Sequence, residues 1–168
     1  DDWSHFRRVE THDGREESVM LDAPGPGCVV RIWTTANNPR GTIRVYLDGA
    51  PKPVIEERID RLIGGDALVG KPLSAVQARG MNLYLPIPYA KRCVMTYDRP
   101  HFWKPGNSTQ ENQLYYQVNY RTYEPGTHVE SFSREALEAA RPVLARVENA
   151  LREPASVLPG DLRFLSQP

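Results

Sequence analysis

The chain of 168 residues predicts an all-β fold, an antiparallel sandwich or barrel followed by a C-terminal helix. Three observations carry that prediction. Up to about residue 123 the sequence is a succession of short runs rich in β-branched and aromatic residues, each bounded by Gly, Pro, Asn or Asp. No helical pattern separates those runs, so their strands must pair antiparallel rather than through crossover helices. At Ser131 the apolar spacing changes from two to three and four, the period of a helix. The length suits one domain with a real core and is short for two.

Seven strands are expected, near residues 16 to 23, 28 to 36, 41 to 48, 52 to 58, 81 to 87, 91 to 98 and 113 to 123. Alternation assigns their faces, because successive side chains of a strand point to opposite sides. Ile43, Val45 and Leu47 share the core face of the third strand. In the second, Cys28, Val30 and Ile32 fall together, which turns Arg31 and Trp33 outward. In the fifth, Leu83 and Leu85 point inward and Asn82 and Tyr84 outward. The last strand carries Leu114, Tyr116, Val118 and Tyr120 on one face and Tyr115, Gln117, Asn119, Arg121 and Tyr123 on the other. Neither of its faces is plainly wet, as expected of a strand between a core and a second contact surface.

Two connections exceed ordinary loop length, 64 to 80 and 98 to 112, the second holding His101-Phe102-Trp103. Loops of that size serve as interface arms, as binding loops or in local packing. Ser133 caps a helix with Glu135 in its first turn. Leu137, Ala140, Leu144, Val147 and Leu151 then form one apolar stripe, and Pro142 kinks or splits the helix near residue 141. The expected organisation is a sandwich over residues 1–131, an amphipathic helix over 132–153, and a linker over 154–168. Asp161-Leu162-Arg163-Phe164-Leu165 in that linker reads as the opening strand of a further domain.

Lys plus Arg equal Asp plus Glu at 21 each, which argues against a nucleic-acid partner held by phosphate neutralisation. No apolar run approaches the roughly 20 residues of a spanning helix, so no membrane partner is expected. His5, His12, His101 and His128 lack paired ligand spacing, and neither a metal nor a cofactor is expected. No Ser or Cys sits in a nucleophile elbow. Cys28 and Cys93 lie in strand-like runs as buried free thiols, or as a disulfide if those strands are neighbours. The compartment is left open between secreted or periplasmic and cytoplasmic. Asn107-Ser108-Thr109 fits a glycosylation acceptor, meaningful only in a eukaryotic secretory pathway.

Candidate carboxylates are Asp48, Glu56, Glu57, Asp60, Glu111 and Glu130. Asp48 before Gly49 suits turn chemistry. Glu57 shares a face with Ile55 and Ile59. It is therefore a buried functional or ion-paired carboxylate, unless the strand ends near residue 58; the helical spacing of Ile59, Leu62 and Ile63 favours that end.

Three phrases stand out: Gly25-Pro26-Gly27-Cys28-Val29-Val30-Arg31-Ile32-Trp33, Arg44-Val45-Tyr46-Leu47-Asp48-Gly49, and Met81-Asn82-Leu83-Tyr84-Leu85-Pro86-Ile87-Pro88-Tyr89. With Asp2-Trp3, Phe6-Arg7 and Leu114-Tyr115-Tyr116-Gln117-Val118-Asn119-Tyr120, in order over residues 2 to 132, they resemble glycoside hydrolase family 172. The resemblance implies the first of two jelly rolls, assembly as a trimer or hexamer, and action on α-D-fructofuranosides, difructose anhydrides or D-arabinofuranosides. It places the catalytic glutamate pair in the second jelly roll, and no residue of this chain matches that pair. The expected partners are therefore a carbohydrate, a second jelly-roll domain or chain, and further copies. Trp33 is a candidate to stack on a furanose ring, or to pack in an interface. Arg31, Asn82 and Tyr84 are candidates for polar contacts, beside Glu57.

Overall fold

The computed structural model describes residues 6–35, 41–98 and 114–153. Its elements in chain order are β1 (Arg8–His12), β2 (Arg15–Pro24), β3 (Gly27–Thr35), β4 (Thr42–Leu47), β5 (Ile55–Arg58), α1 (Ile59–Leu62), β6 (Ser74–Gln77), β7 (Gly80–Leu83), β8 (Ile87–Tyr89), β9 (Arg92–Asp98), β10 (Tyr115–Thr122), α2 (Arg134–Ala139) and α3 (Arg141–Arg152). One sheet runs β1-β2-β9-β4-β5 and the other β10-β3-β7-β6, with β8 also on β3. Every described pairing is antiparallel. The fold is the antiparallel sandwich with C-terminal helices that the pattern predicts.

Alternation builds the core. Ile43, Val45 and Leu47 of β4 meet Val29 and Ile32 of β3, Leu83 of β7 and Met95 of β9 in one buried cluster. Each such side chain contributes about 1.5 to 3 kcal/mol by leaving water. That drive fixes register, since a slip of one residue would turn the whole set outward.

Three strands escape the seven expected ones. β1 joins β2 through Asp13-Gly14, both at positive φ, the turn that matches strand twist. Its residues are too polar to read as a strand. β6 lies in the segment expected to be a long loop and joins β7 through Ala78 and Arg79, at φ 49° and 66°. Non-glycine residues seldom adopt that conformation, so the sequence carries no turn signal there. The single strand expected at 81 to 87 is two, β7 on Ile32–Thr34 and β8 on Gly27–Val29 of the same neighbour. Pro86, which has no N–H to donate, lies between them.

One face assignment needs correction. Opposite β10 the register of β3 shifts, so that Asn119 faces Arg31 and Tyr120 faces Val29. Val30 is the extra residue of this bulge and is only half-buried, while Val29 joins Ile32 in the core. The expected inward position of Val30 belongs to Val29.

Ser133 caps α2, its Oγ accepting from the Ala136 N–H at 3.0 Å. The helix breaks at Ala140 and resumes as α3 with Pro142 in its first turn, where a missing N–H costs nothing. Leu137 is buried and Leu144 packs partly on the core. The stripe does not stay on the sandwich, however, because Val147 and Leu151 are exposed. Arg141 and Arg152 instead tie α3 to the backbone carbonyls of Leu68 and Lys71. Cys28 and Cys93 are both buried and free, on opposite sheets. The segments holding His101-Phe102-Trp103, Asn107 and Asp161–Leu165 lie outside the described residues.

Candidate site on the outer face of the second sheet

β3 turns Arg31, Trp33 and Thr35 away from the core, and its register decides their neighbours. Asn119 of β10 stands opposite Arg31, and Gln117 of β10 and Asn82 of β7 flank Trp33. Arg31 Nη1 donates to Asn119 Oδ1 at 3.2 Å and to Gln117 Oε1 at 3.4 Å, and Nη2 donates to Asn82 Oδ1 at 3.1 Å. The Tyr84 ring lies 5.8 Å from the guanidinium carbon, within cation–π range. Arg31, Asn82 and Tyr84, separated in sequence, thus converge on one group. Trp33 stands beside them, half-buried. It lies over Gly80, where an added Cβ would come within 2.3 Å of the indole Nε1. A glycine at that position lets the ring rest on β7.

Glu57 does not join this group. It lies on β5, at the edge of the first sheet, where its Oε1 accepts the Arg58 N–H at 2.9 Å. β5 ends at Arg58 and α1 begins at Ile59, the break that the spacing of Ile59, Leu62 and Ile63 favours. Gln117 and Asn119 are members that sequence reasoning left out. Their outward alternation was visible, but only the pairing of β10 with β3 brings them to Arg31.

The outer face of the first sheet has different chemistry. Glu17 is fully buried and accepts hydrogen bonds from Thr96 Oγ1 at 2.6 Å and from the Tyr46 hydroxyl at 3.0 Å. Arg44, also buried, lies 3.6 Å from Glu17, pairs with Glu56 at 2.9 Å and binds Asp98. Burial opposes ionisation of Asp98, yet its bonds from Arg44 and Thr42 hold the carboxyl below its usual range. Nearby, Arg92 and then Arg8 clamp Asp22, pulling its carboxyl from 3.8 down to about 2. Burial raises the Tyr46 hydroxyl to about 12, with the Glu17 carboxylate adding to it. His12 stacks on the Tyr46 ring at 4.7 Å.

The remaining candidate carboxylates have structural partners or lie elsewhere. Asp48, at φ 58° in a turn with Gly49, accepts from the backbone N–H groups of Lys91 at 2.6 Å and Arg92 at 3.1 Å and from Ser131. Burial works against its charge and these bonds outweigh it, so its carboxyl sits below the ordinary value. It latches the turn after β4 to the start of β9 and to the segment before α2. Asp60 pairs with Arg58 at 2.7 Å. Glu130 is exposed, and Glu111 lies outside the described residues. Among the described residues no group of His, Cys, Asp and Glu is arranged to hold a metal ion.

No curated protein matches this chain. A family model does, the one described as GH172 first beta-sandwich domain, and the match spans residues 1–140. It covers all ten described strands and α2 and ends as α3 begins. With a two-sheet sandwich under it and most of the chain matched, this chain belongs to glycoside hydrolase family 172, as its first β-sandwich domain.

Proposed function

We propose that this chain supplies the first sandwich of a hydrolase acting on furanosides, α-D-fructofuranosides or D-arabinofuranosides, and that a second jelly-roll domain completes its site. The observation that carries this reading is the convergence of Arg31, Asn82 and Tyr84 beside Trp33 on one outward face. Sugar rings stack on aromatic planes, and their hydroxyls take hydrogen bonds from fixed side chains. Cleaving a glycosidic bond also needs two carboxylates, one to protonate the leaving oxygen and one to act as nucleophile or base. The described positions around Arg31 on this face hold amides, aromatics, Thr35 and a second arginine, Arg121. The carboxylates of such a site therefore come from outside the sheet, which supports a chain inactive on its own.

Assembly into a trimer or hexamer belongs to the same proposal. Exposed Val143, Val147 and Leu151 on α3, with exposed Tyr84 and Tyr115 on the second sheet, favour covered surfaces in the working protein. A non-catalytic sugar-binding subunit of an oligomer is the second reading, favoured by the same lack of a carboxylate among the described residues around Arg31. Co-expression with the second domain, followed by release of the sugar from aryl furanosides, separates the two. Activity only in the reconstituted pair is expected. A correctly assembled pair that cleaves no furanoside would overturn the enzymatic reading.

A further inference from the structure

We infer that the Arg31 cluster is a carboxylate receptor and that the sugar it takes is acidic, a furanoside carrying a uronate group. The inference rests on the reading that this face meets a furanoside, and goes beyond the neutral fructo- and arabinofuranosides named there by making the ring acidic. A guanidinium has donors only, so the side-chain amides bonded to it must turn their oxygens inward. Asn82, Gln117 and Asn119 all do so. Their NH2 groups consequently point away from Arg31, and those of the exposed Gln117 and Asn119 add donors to a patch that already carries a cation, while Asn82 is buried beneath it. Arg31 Nε takes no acceptor among the described residues, and none of the side chains that hold Arg31 is a carboxylate. Arg44, Arg8, Arg92, Arg58 and Arg141 each bind one.

A fixed cation framed by donors calls for an acceptor-only anion, and the planar guanidinium fork matches a carboxylate. The size of the patch limits the rest of the ligand. Adjacent strands lie about 4.8 Å apart, so β10, β3 and β7 together offer roughly 10 Å, the width of one sugar. Within that width the exposed Tyr84 ring and the Trp33 indole supply flat apolar surface beside the charge. Aromatic planes next to a donor array fit a sugar acid better than a simple anion, which would use the charge and leave the rings uncovered.

The test titrates the full 168-residue chain at low salt with three probes. They are a neutral methyl furanoside, the methyl furanosiduronate of the same ring, and sodium acetate, followed by calorimetry and by amide shifts of the β3, β7 and β10 residues. The uronate is expected to bind about tenfold more tightly than the neutral sugar, the usual gain of a charge-assisted bond, and to weaken with salt. Arg31→Met should abolish the difference between the two sugars. Arg31→Lys keeps the charge without the fork and should retain part of it, which guards against a folding defect in the first variant. Equal affinity for both furanosides would overturn the acidic-sugar inference and leave the sugar face standing. Acetate as tight as the uronate would also overturn it, since the rings would then contribute nothing. Binding of neither sugar, or an Arg31-dependent self-association in sedimentation instead, would overturn both this inference and the sugar-facing role of the sheet.

Discussion

On the outer face of the first sheet Arg44 meets Glu56, Asp98 and the buried Glu17; on the outer face of the second, Arg31 meets three amides and the Tyr84 ring among the described residues. Both are arginines near the middle of a strand, turned away from the same core. Arg44 is surrounded by carboxylates, covered, and satisfied within the chain. Among the described residues Arg31 has no carboxylate partner, and it lies beside an exposed tyrosine. The first face is closed chemistry, a network holding β2, β4, β5 and β9 in place. The second holds no such network among the described residues, and that difference is what the proposed sugar-binding role rests on. Charge paired with carboxylates, as at Arg44, serves stability; charge held by amides and a ring, as at Arg31, is the basis of the proposed recognition.

The largest effect falls on the closed face. Arg44→Met leaves the buried Glu17 with the half-exposed Arg15 at 3.4 Å as its cation, unpairs Glu56 and Asp98, and should cost about 3 kcal/mol in urea unfolding, with the slope unchanged. An effect below about 1 kcal/mol would mean that the network is not closed. Gly80→Ala comes next, on the second face. The new Cβ displaces the Trp33 ring from β7, and a loss of about 2 kcal/mol with a shift in tryptophan emission is expected. An unmoved emission would show that Trp33 does not rest on Gly80.

Acid should erode the closed face first. The Asp22 carboxyl is lowered from 3.8 to about 2, so its contribution is present above about pH 4 and is lost as pH falls through that window. The size expected is about 1 kcal/mol, because half-exposed Arg92 is screened by solvent. Asp22→Asn should flatten that part of the stability–pH curve, and an unchanged curve would remove Asp22 from the network. The smallest effect belongs to Arg31→Met, about 1 kcal/mol of stability, since its partners are neutral and two of the three, Gln117 and Asn119, are exposed. A loss as large as that of Arg44→Met would make Arg31 a structural residue and dissolve the contrast.

Much of the sandwich was legible because its elements obey local rules. The alternation of Ile43, Val45 and Leu47, the cap at Ser133 and the break before Pro142 each depend on residues close in sequence. The misses have physical causes. β6 and β7 are joined through Ala78 and Arg79, held at positive φ by the surrounding fold rather than by residue type. The bulge at Val30 arises where β3 must match β10, so no reading of β3 alone reveals it. β1 is polar because it lies at a sheet edge and displays Glu10 and His12 on the charged outer face.

The sequence by itself determined that the chain is a sandwich, which residues of β4 and β7 face its core, and that Arg31, Trp33, Asn82 and Tyr84 point outward. It also carried the ordered phrases that mark the family. Only the tertiary structure decided that Asn82, Gln117 and Asn119 all turn to Arg31, that Glu57 stands on the other sheet, and that Glu17 is buried within a charged network. The physical reason is range. Face and period follow from bonds along the chain, whereas cross-strand register follows from closing the core, and register alone chooses which charges meet.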